Sequence, residues 1–113
     1  MSKHCLFVYG TLRPGEPNAY LLERIGGTWQ SAHIQGHLDP LGWGLTMGYP
    51  AIKLDPNGPR IDGFVFSSAS LKQNWNRLDE FEGDAYMRVR VTATLRTGES
   101  VSAFVYALAQ TFT

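Results

Sequence analysis

The sequence CLFVYGTLRPG, residues 5–15, is an apolar run that breaks at Gly10 and turns again at Pro14-Gly15. A short run that is rich in β-branched and aromatic residues, with glycine and proline at its end, predicts a strand buried on both faces. Beyond this strand, the backbone N–H groups of Gly10, Thr11 and Leu12 need acceptors outside the sheet. Such a turn can bind an anion or a developing oxyanion, although an ordinary strand–loop junction capped by water explains the same pattern.

The composition is typical of one globular domain, which we expect to span residues 1–113. Hydrophobic residues make up 43% of the chain and charged residues 18%, so one core is expected. Ten basic residues balance ten acidic ones, which argues against nucleic acid or an anionic membrane as a partner. The apolar runs are too short to span a bilayer and no signal-peptide pattern is present, so the cytoplasm is the expected location. The single cysteine, Cys5, is expected to be a core residue.

The clearest helical pattern lies at about residues 70–81. Leu71, Trp75 and Leu78 are spaced i, i+4 and i+7, so they would form one apolar face. The next position on that face, i+11, is Glu82. An ionisable side chain is therefore expected where the apolar face of the helix continues.

Glu82 is a candidate functional carboxylate for this reason, because buried carboxylates are costly unless paired or protonated and are frequent at functional sites. Asp79 would flank the apolar face, and Glu80 would face solvent. Two structural interpretations stay open. In one, the helix ends a turn earlier and Glu82 reaches water; in the other, Glu82 forms an ion pair with Arg88 or Arg90.

The remaining pattern predicts an α+β fold, a small mixed β-barrel of about six strands that is closed or nearly closed. The main helix and a shorter one at residues 19–25 would cover the barrel, with Asn18 and Gly26 at the ends of the shorter helix. The strict alternation from Arg88 onward predicts a strand whose arginines lie on an exposed face. The strands after the first are expected at residues 28–38, 51–54, 61–66, 88–96 and 100–108.

Two histidines raise the question of a metal site. His33 and His37 would lie on one face of a strand, but roughly 13 Å apart at about 3.3 Å per residue. No cysteine or pair of carboxylates nearby completes a ligand set. We therefore expect surface histidines, no metal site and no cofactor.

Three segments resemble the γ-glutamylcyclotransferase-like superfamily, which includes the γ-glutamylamine cyclotransferases and the AIG2-like proteins. YGTL at residues 9–12 is similar to the opening of these proteins, at the end of their first strand. LDEFEG at residues 78–83, with Tyr86 and Arg88, is similar to their LDxFEG…YxR segment. FVY at residues 104–106 is similar to their closing strand. The resemblance runs from Leu6 to about Tyr106, and the middle third matches only loosely.

The resemblance implies a small barrel and an enzyme that cyclises a γ-glutamyl amine or conjugate to 5-oxoproline with release of the free amine. It implies that Glu82 is the catalytic acid/base. The loop of Tyr9, Gly10, Thr11 and Leu12 would offer backbone amides for the carboxylate of the substrate or for its carbonyl oxyanion. Tyr86 is expected to reach the substrate, although a core tyrosine fits the pattern equally well. For Arg88, a solvated or structural role is favoured over binding of the substrate carboxylate.

Two other functions fit the same pattern. The scaffold could be a non-catalytic module that binds a small molecule, with Glu82 as a structural acid. It could also release the γ-glutamyl group from a larger conjugate by the same chemistry, and the width of the site near Trp43 and Tyr49 would then be decisive.

Overall fold

The computed structural model describes residues 4–9, 13–16, 19–39, 51–82 and 86–108. A 3₁₀ turn, Leu71–Asn74, lies directly before the helix that begins at Trp75. In these residues the chain forms, in order, β1 (His4–Val8), α1 (Tyr20–Ile25), β2 (Thr28–Asp39), β3 (Ala51–Leu54), β4 (Arg60–Ser68), α2 (Trp75–Glu82), β5 (Tyr86–Leu95) and β6 (Ser100–Leu108).

The strands form a five-stranded barrel with one additional strand. Their order is β3-β2-β4-β1-β6-β5, and a further pairing of β2 with β5 closes the barrel. β1 runs parallel to β6 and antiparallel to β4, so the sheet is mixed. β3 pairs with the end of β2, outside the closed ring of strands. The predicted α+β barrel of about six strands is therefore confirmed.

β1 is buried on both of its faces, as its continuous apolar run predicts. Phe7 belongs to the core on the inner face of the barrel, whereas Leu6 and Val8 belong to the core between the outer face and the helices. The inner core also contains Ala32, Ile34, Ile61, Val65, Ala93, Leu95, Ala103, Val105 and Ala107. The outer core contains Leu22, Phe66, Leu71, Trp75, Leu78 and Tyr106.

Gly63 allows β1 and β4 to approach closely where β1 ends. A Cβ atom at this position would overlap the carbonyl oxygen of Val8 and the ring of Phe7. Any larger residue would push the end of β1 away from β4. The glycine therefore fixes the position of the end of β1 against β4.

Both helices lie in the segments in which the sequence pattern predicts them. α1 ends at Gly26, whose φ of 85° suits glycine and whose N–H donates to the carbonyl of Leu22. The predicted N-cap, Asn18, lies outside the described residues. Leu71, Trp75 and Leu78 are all buried. Neither helix in the described ranges is long and apolar enough to cross a membrane.

The second helix has one feature that the pattern left open: it continues to Glu82. The interpretation in which the helix ends a turn earlier is therefore wrong. The start of the helix also differs from the predicted start at about residue 70. Residues 71–74 form a 3₁₀ turn, and the α-helix begins at Trp75.

Candidate active site

Tyr9 is the last described residue before the predicted amide loop. Its ring stacks near Phe7, with centroids 6.5 Å apart. Its hydroxyl donates a hydrogen bond of 2.7 Å to the backbone carbonyl of Tyr106 on β6. Gly10, Thr11 and Leu12, which were predicted to bind substrate, lie outside the described residues. The side chain of Tyr9 thus anchors the beginning of this loop to the neighbouring strand.

The far side of the loop is a tight turn. The N–H of Glu16 donates to the carbonyl of Arg13 at 3.0 Å. Pro14 and Gly15 are the central residues, and the φ of 85° at Gly15 is that of the third position of a type II turn. The turn predicted from Pro14-Gly15 is confirmed, so described residues define both sides of the loop.

The strand register brings the ends of three segments to one end of the barrel. Phe7 lies beside Val105 in the parallel pair, which puts Tyr9 level with Ala107. On the other side of β6, Met87 pairs with Ala107. The ends of β1 and β5 are therefore two strand spacings apart, about 10 Å. The third segment, α2, ends four residues before Tyr86, at Glu82.

The strand register therefore puts Tyr9 and Tyr86 at the same end of the barrel, and Glu82 ends the helix that precedes Tyr86 in the chain. The side chains of Glu82 and Tyr86 lie outside what the structure describes. Their roles as acid/base and substrate contact accordingly stay predictions.

Asp79, one helical turn before Glu82, makes the polar contacts that join α2 to the barrel. It accepts a hydrogen bond of 2.6 Å from the hydroxyl of Tyr106, which is only 5% exposed. The Nε of Arg88 lies 3.2 Å from the same carboxylate oxygen. That nitrogen is buried without an aligned hydrogen bond, so the contact is an ion pair rather than a directed bond. Through these two partners, Asp79 holds α2 against both β5 and β6.

Arg88 lies in a different environment from the exposed strand face that the alternation predicts. Its side chain is 25% exposed. The guanidinium carbon lies 4.4 Å from the ring centroid of Trp75 and 5.2 Å from that of Phe104. The prediction of an exposed arginine is wrong here because α2 covers this part of β5. A structural role, which the sequence favoured over substrate binding, agrees with these contacts.

Tyr106 was not among the residues predicted for the site. The alternation along β6 put it on the face opposite Val105, and Tyr106 does belong to the outer core. Its partner Asp79 lies 27 residues earlier in the chain. The only available signal was that both residues fall in segments that resemble the same family.

The two histidines lie on β2, at positions 33 and 37. His37 is exposed, and its Nε2 lies 2.9 Å from a carboxylate oxygen of Asp55. The pKa of Asp55 is lowered, first by the backbone N–H of Asn57 and then by its hydrogen bond with His37. His33 is half-buried rather than fully exposed. Within the described ranges, no group of three or more His, Cys, Asp or Glu residues could hold a metal ion.

A groove of about 530 Å³ lies where β2, β4 and β5 meet. Arg60 donates from Nε to Asp62 at 2.7 Å in this groove, and both side chains are mostly exposed. Trp43 and Tyr49, which the sequence suggested as walls of the substrate site, lie outside the described residues. The charged and polar lining of the groove comprises Arg13, Ser31, His33, Arg60, Asp62, Thr94 and Arg96.

Comparison with known proteins adds independent information. A family model described as "Gamma-glutamyl cyclotransferase, AIG2-like" matches residues 6–112. An AIG2-like protein from Mus musculus has a similar structure, with a TM-score of 0.74 and 25% identity over 96% of this chain and 79% of its own. A protein from Arabidopsis thaliana, solved in solution, gives 0.73 and 26% over 96% of this chain and 63% of its own.

A third similar structure is described as a gamma-glutamyl cyclotransferase. It has a TM-score of 0.67 and 19% identity, over 96% of this chain and 68% of its own. At this identity the likeness concerns the fold alone. A search of curated proteins finds no match.

Proposed function

Because the chain belongs to the gamma-glutamyl cyclotransferase, AIG2-like family, we propose that it is a cyclotransferase that acts on a γ-glutamyl amine or another γ-glutamyl conjugate. Its products are 5-oxoproline and the free amine. Membership of the family and the barrel fold support cyclotransferase-like activity in general. The substrate class and the roles of individual residues are the specific content of the proposal.

The reaction is intramolecular. The α-amino nitrogen of the glutamyl group attacks its own γ-carbonyl carbon, so one C–N bond forms and closes a five-membered ring. The bond from the γ-carbon to the departing nitrogen then breaks. One proton leaves the attacking nitrogen and one joins the departing nitrogen, so no net proton is consumed. The main task of the enzyme is to hold the substrate in its folded conformation.

We assign the proton transfers to Glu82. A single carboxylate can take the proton from the attacking nitrogen and return it to the leaving amine. Glu82 ends α2 next to the segment that leads to Tyr86. Asp79 is the neighbouring carboxylate one turn earlier, and its contacts with Tyr106 and Arg88 make it the less suitable base.

We assign substrate binding to the loop of Tyr9, Gly10, Thr11 and Leu12, together with Tyr86. Free backbone N–H groups in this loop would stabilise negative charge on the substrate carboxylate or on the carbonyl oxygen. The single observation that supports the proposal is the strand register, which puts the end of β1, before the loop, and the start of β5, with Tyr86, on the two sides of β6.

The test is release of 5-oxoproline from a panel of γ-glutamyl amines and γ-glutamyl dipeptides. Wild type is compared with Glu82→Gln and with Glu80→Gln, a matched change at an exposed position of the same helix. We expect wild type and Glu80→Gln to turn over at least one member of the panel. Glu82→Gln should lose roughly 10²- to 10⁴-fold in kcat, the usual contribution of a general acid/base, while its circular dichroism stays unchanged.

Two outcomes would contradict the proposal. If Glu82→Gln keeps activity within a few-fold of wild type, Glu82 is not the acid/base. If wild type releases 5-oxoproline from no member of the panel, the enzyme assignment fails. Calorimetry with the same γ-glutamyl compounds would then test the alternative, a non-catalytic module that binds a small molecule.

A further inference from the structure

We propose that Tyr106 is a positioning residue that holds the last turn of α2, and with it Glu82, in place relative to the loop of residues 9–12. The inference rests on the proposed function, because it concerns the two segments assigned to proton transfer and substrate binding. Neither segment contains Tyr106, which lies on β6 between them.

Tyr106 uses two different groups to reach the two segments. Its backbone carbonyl accepts the 2.7 Å hydrogen bond from the hydroxyl of Tyr9, directly before the loop. Its own hydroxyl donates the 2.6 Å hydrogen bond to Asp79, one turn before Glu82. The backbone carbonyl of a strand residue lies in the plane of the sheet, whereas its side chain points to one face. One residue can therefore contact a neighbouring strand through its carbonyl and a helix through its side chain. Tyr106 therefore connects the end of β1 to the last turn of α2.

The ion pair between Asp79 and Arg88 is a second contact between α2 and the barrel. Asp79 precedes Glu82 by three residues, and Arg88 follows Tyr86 by two. The 3.2 Å contact thus holds both ends of the segment that carries Glu82 and Tyr86. Trp75 covers the guanidinium at 4.4 Å, so the pair cannot easily exchange its partner for water.

The Tyr106 hydroxyl supplies the directed part of this arrangement. The Arg88 Nε has no aligned hydrogen bond, so its attraction to Asp79 leaves the carboxylate free to rotate. A short hydrogen bond to a carboxylate is both strong and directional. Buried tyrosine hydroxyls usually have a partner, and this partner lies on the helix that ends at Glu82. Loss of the hydroxyl should therefore loosen the end of α2 without opening the core.

The test compares Tyr106→Phe with Tyr20→Phe. Tyr106→Phe removes only the hydroxyl and leaves the ring and the carbonyl that Tyr9 uses. Tyr20→Phe is a matched change at an exposed tyrosine on α1. Two quantities are measured on each protein: kcat and KM for 5-oxoproline release, and hydrogen exchange of the backbone amides of residues 79–82 by NMR or mass spectrometry.

We expect Tyr106→Phe to lower kcat about tenfold with KM changed less than twofold. A hydrogen bond to a charged group is worth a factor of roughly 10 to 150, and the low end applies here because the Asp79 side chain is 41% exposed. Exchange at residues 79–82 should become about tenfold faster, while amides in the centre of β1 and β4 keep their rates. Tyr20→Phe should match wild type in both measurements. A purely structural role would instead change exchange throughout the molecule, or the amount of folded protein, and leave kcat per folded molecule unchanged.

A second pair of variants protects the test against misfolding of Tyr106→Phe. Asp79→Ala removes the acceptor from a half-exposed position and should reproduce the loss of kcat. Glu80→Ala, next to it on the exposed side of α2, should not. An unchanged kcat in Tyr106→Phe overturns the inference, and so does unchanged exchange at residues 79–82. If wild type releases no 5-oxoproline, the proposed function fails, and the exchange measurement alone still decides whether Tyr106 fixes the end of α2.

Discussion

Two arginine–aspartate pairs lie on the outside of the same barrel, in opposite surroundings. Asp79 and Arg88 join α2 to β5, with side chains that are 41% and 25% exposed. Arg60 and Asp62 lie two residues apart on β4 in the groove, with side chains that are 66% and 75% exposed. The exposed pair has the shorter contact, 2.7 Å against 3.2 Å. Distance alone would thus rank the two pairs in the wrong order of importance.

The two pairs differ in exposure because α2 covers only the pair of Asp79 and Arg88. Water reaches most of the Arg60–Asp62 pair, so breaking it exchanges one set of favourable contacts for another. Around Arg88 the rings of Trp75 and Phe104 exclude much of that water. Removal of Asp79 there leaves the charge of Arg88 poorly satisfied by solvent, and removal of Arg88 also deletes its contacts with the two rings. The contribution of an ion pair in this barrel therefore depends on which residues cover it.

Removal of Trp75, which covers Arg88, should produce the largest change in the free energy of unfolding. Trp75→Ala deletes a side chain that is 8% exposed and contacts both Phe104 and Arg88. We expect it to lower the free energy of unfolding by about 3–5 kcal/mol, as for other buried tryptophans. Urea unfolding measures this loss. Tyr20→Ala, at an exposed aromatic residue, serves as the control and should stay within about 0.5 kcal/mol of wild type. A loss below about 1 kcal/mol for Trp75→Ala would show that α2 is a weak cover.

The comparison of the two arginines should give the next largest effect. Arg88→Gln should cost about 1–3 kcal/mol, less than for a fully buried pair because Asp79 is partly exposed. Arg60→Gln should cost no more than about 0.5 kcal/mol. Unfolding measured in low salt and in about 1 M salt separates the two further, because salt screens an exposed pair more strongly than a covered one. Equal losses for both variants would refute the role assigned to the cover.

The contrast between the covered and the exposed arginine also explains which structural features the sequence could predict. The strands and α2 follow from local patterns, such as the spacing of Leu71, Trp75 and Leu78 and the alternation along β5 and β6. Alternation assigns Arg88 to a face of β5, but it carries no information on what packs against that face. The helix that covers Arg88 is a matter of tertiary structure, and so the predicted exposure was wrong.

In the barrel and in the candidate site, local patterns again predict some features, and the others depend on tertiary contacts. About six strands were predicted, yet the pairing of β2 with β5 that closes the barrel joins segments distant in the chain. Glu82 was predicted from its position on the helix and from the family resemblance. Tyr106 was missed because its contact with Asp79 depends on how α2 packs against the outer face of β6, which no local pattern encodes.

A third polar pair, His37 and Asp55, extends the comparison to a pair that Trp75 does not cover, with side chains that are 54% and 39% exposed, and here the expected effect is the smallest. The pKa of Asp55 is lowered from its ordinary value of 3.8, first by the N–H of Asn57 and then by His37. A lowered pKa means that the folded protein favours the charged form. The resulting stabilisation is present above about pH 4 and is lost as the pH falls through the pKa of the folded state.

Asp55→Asn should therefore differ from wild type in unfolding free energy above about pH 4, and the difference should shrink in more acidic solution. Unfolding at a series of pH values measures this, and NMR titration of the Asp55 carboxyl gives its pKa directly. His37→Asn should leave the part of the lowering that is due to the N–H of Asn57. A difference between wild type and Asp55→Asn that stays constant down to pH 3 would contradict the linkage. A pH-dependent difference as large as the loss in Arg88→Gln would instead mean that an uncovered pair can matter as much as a covered one.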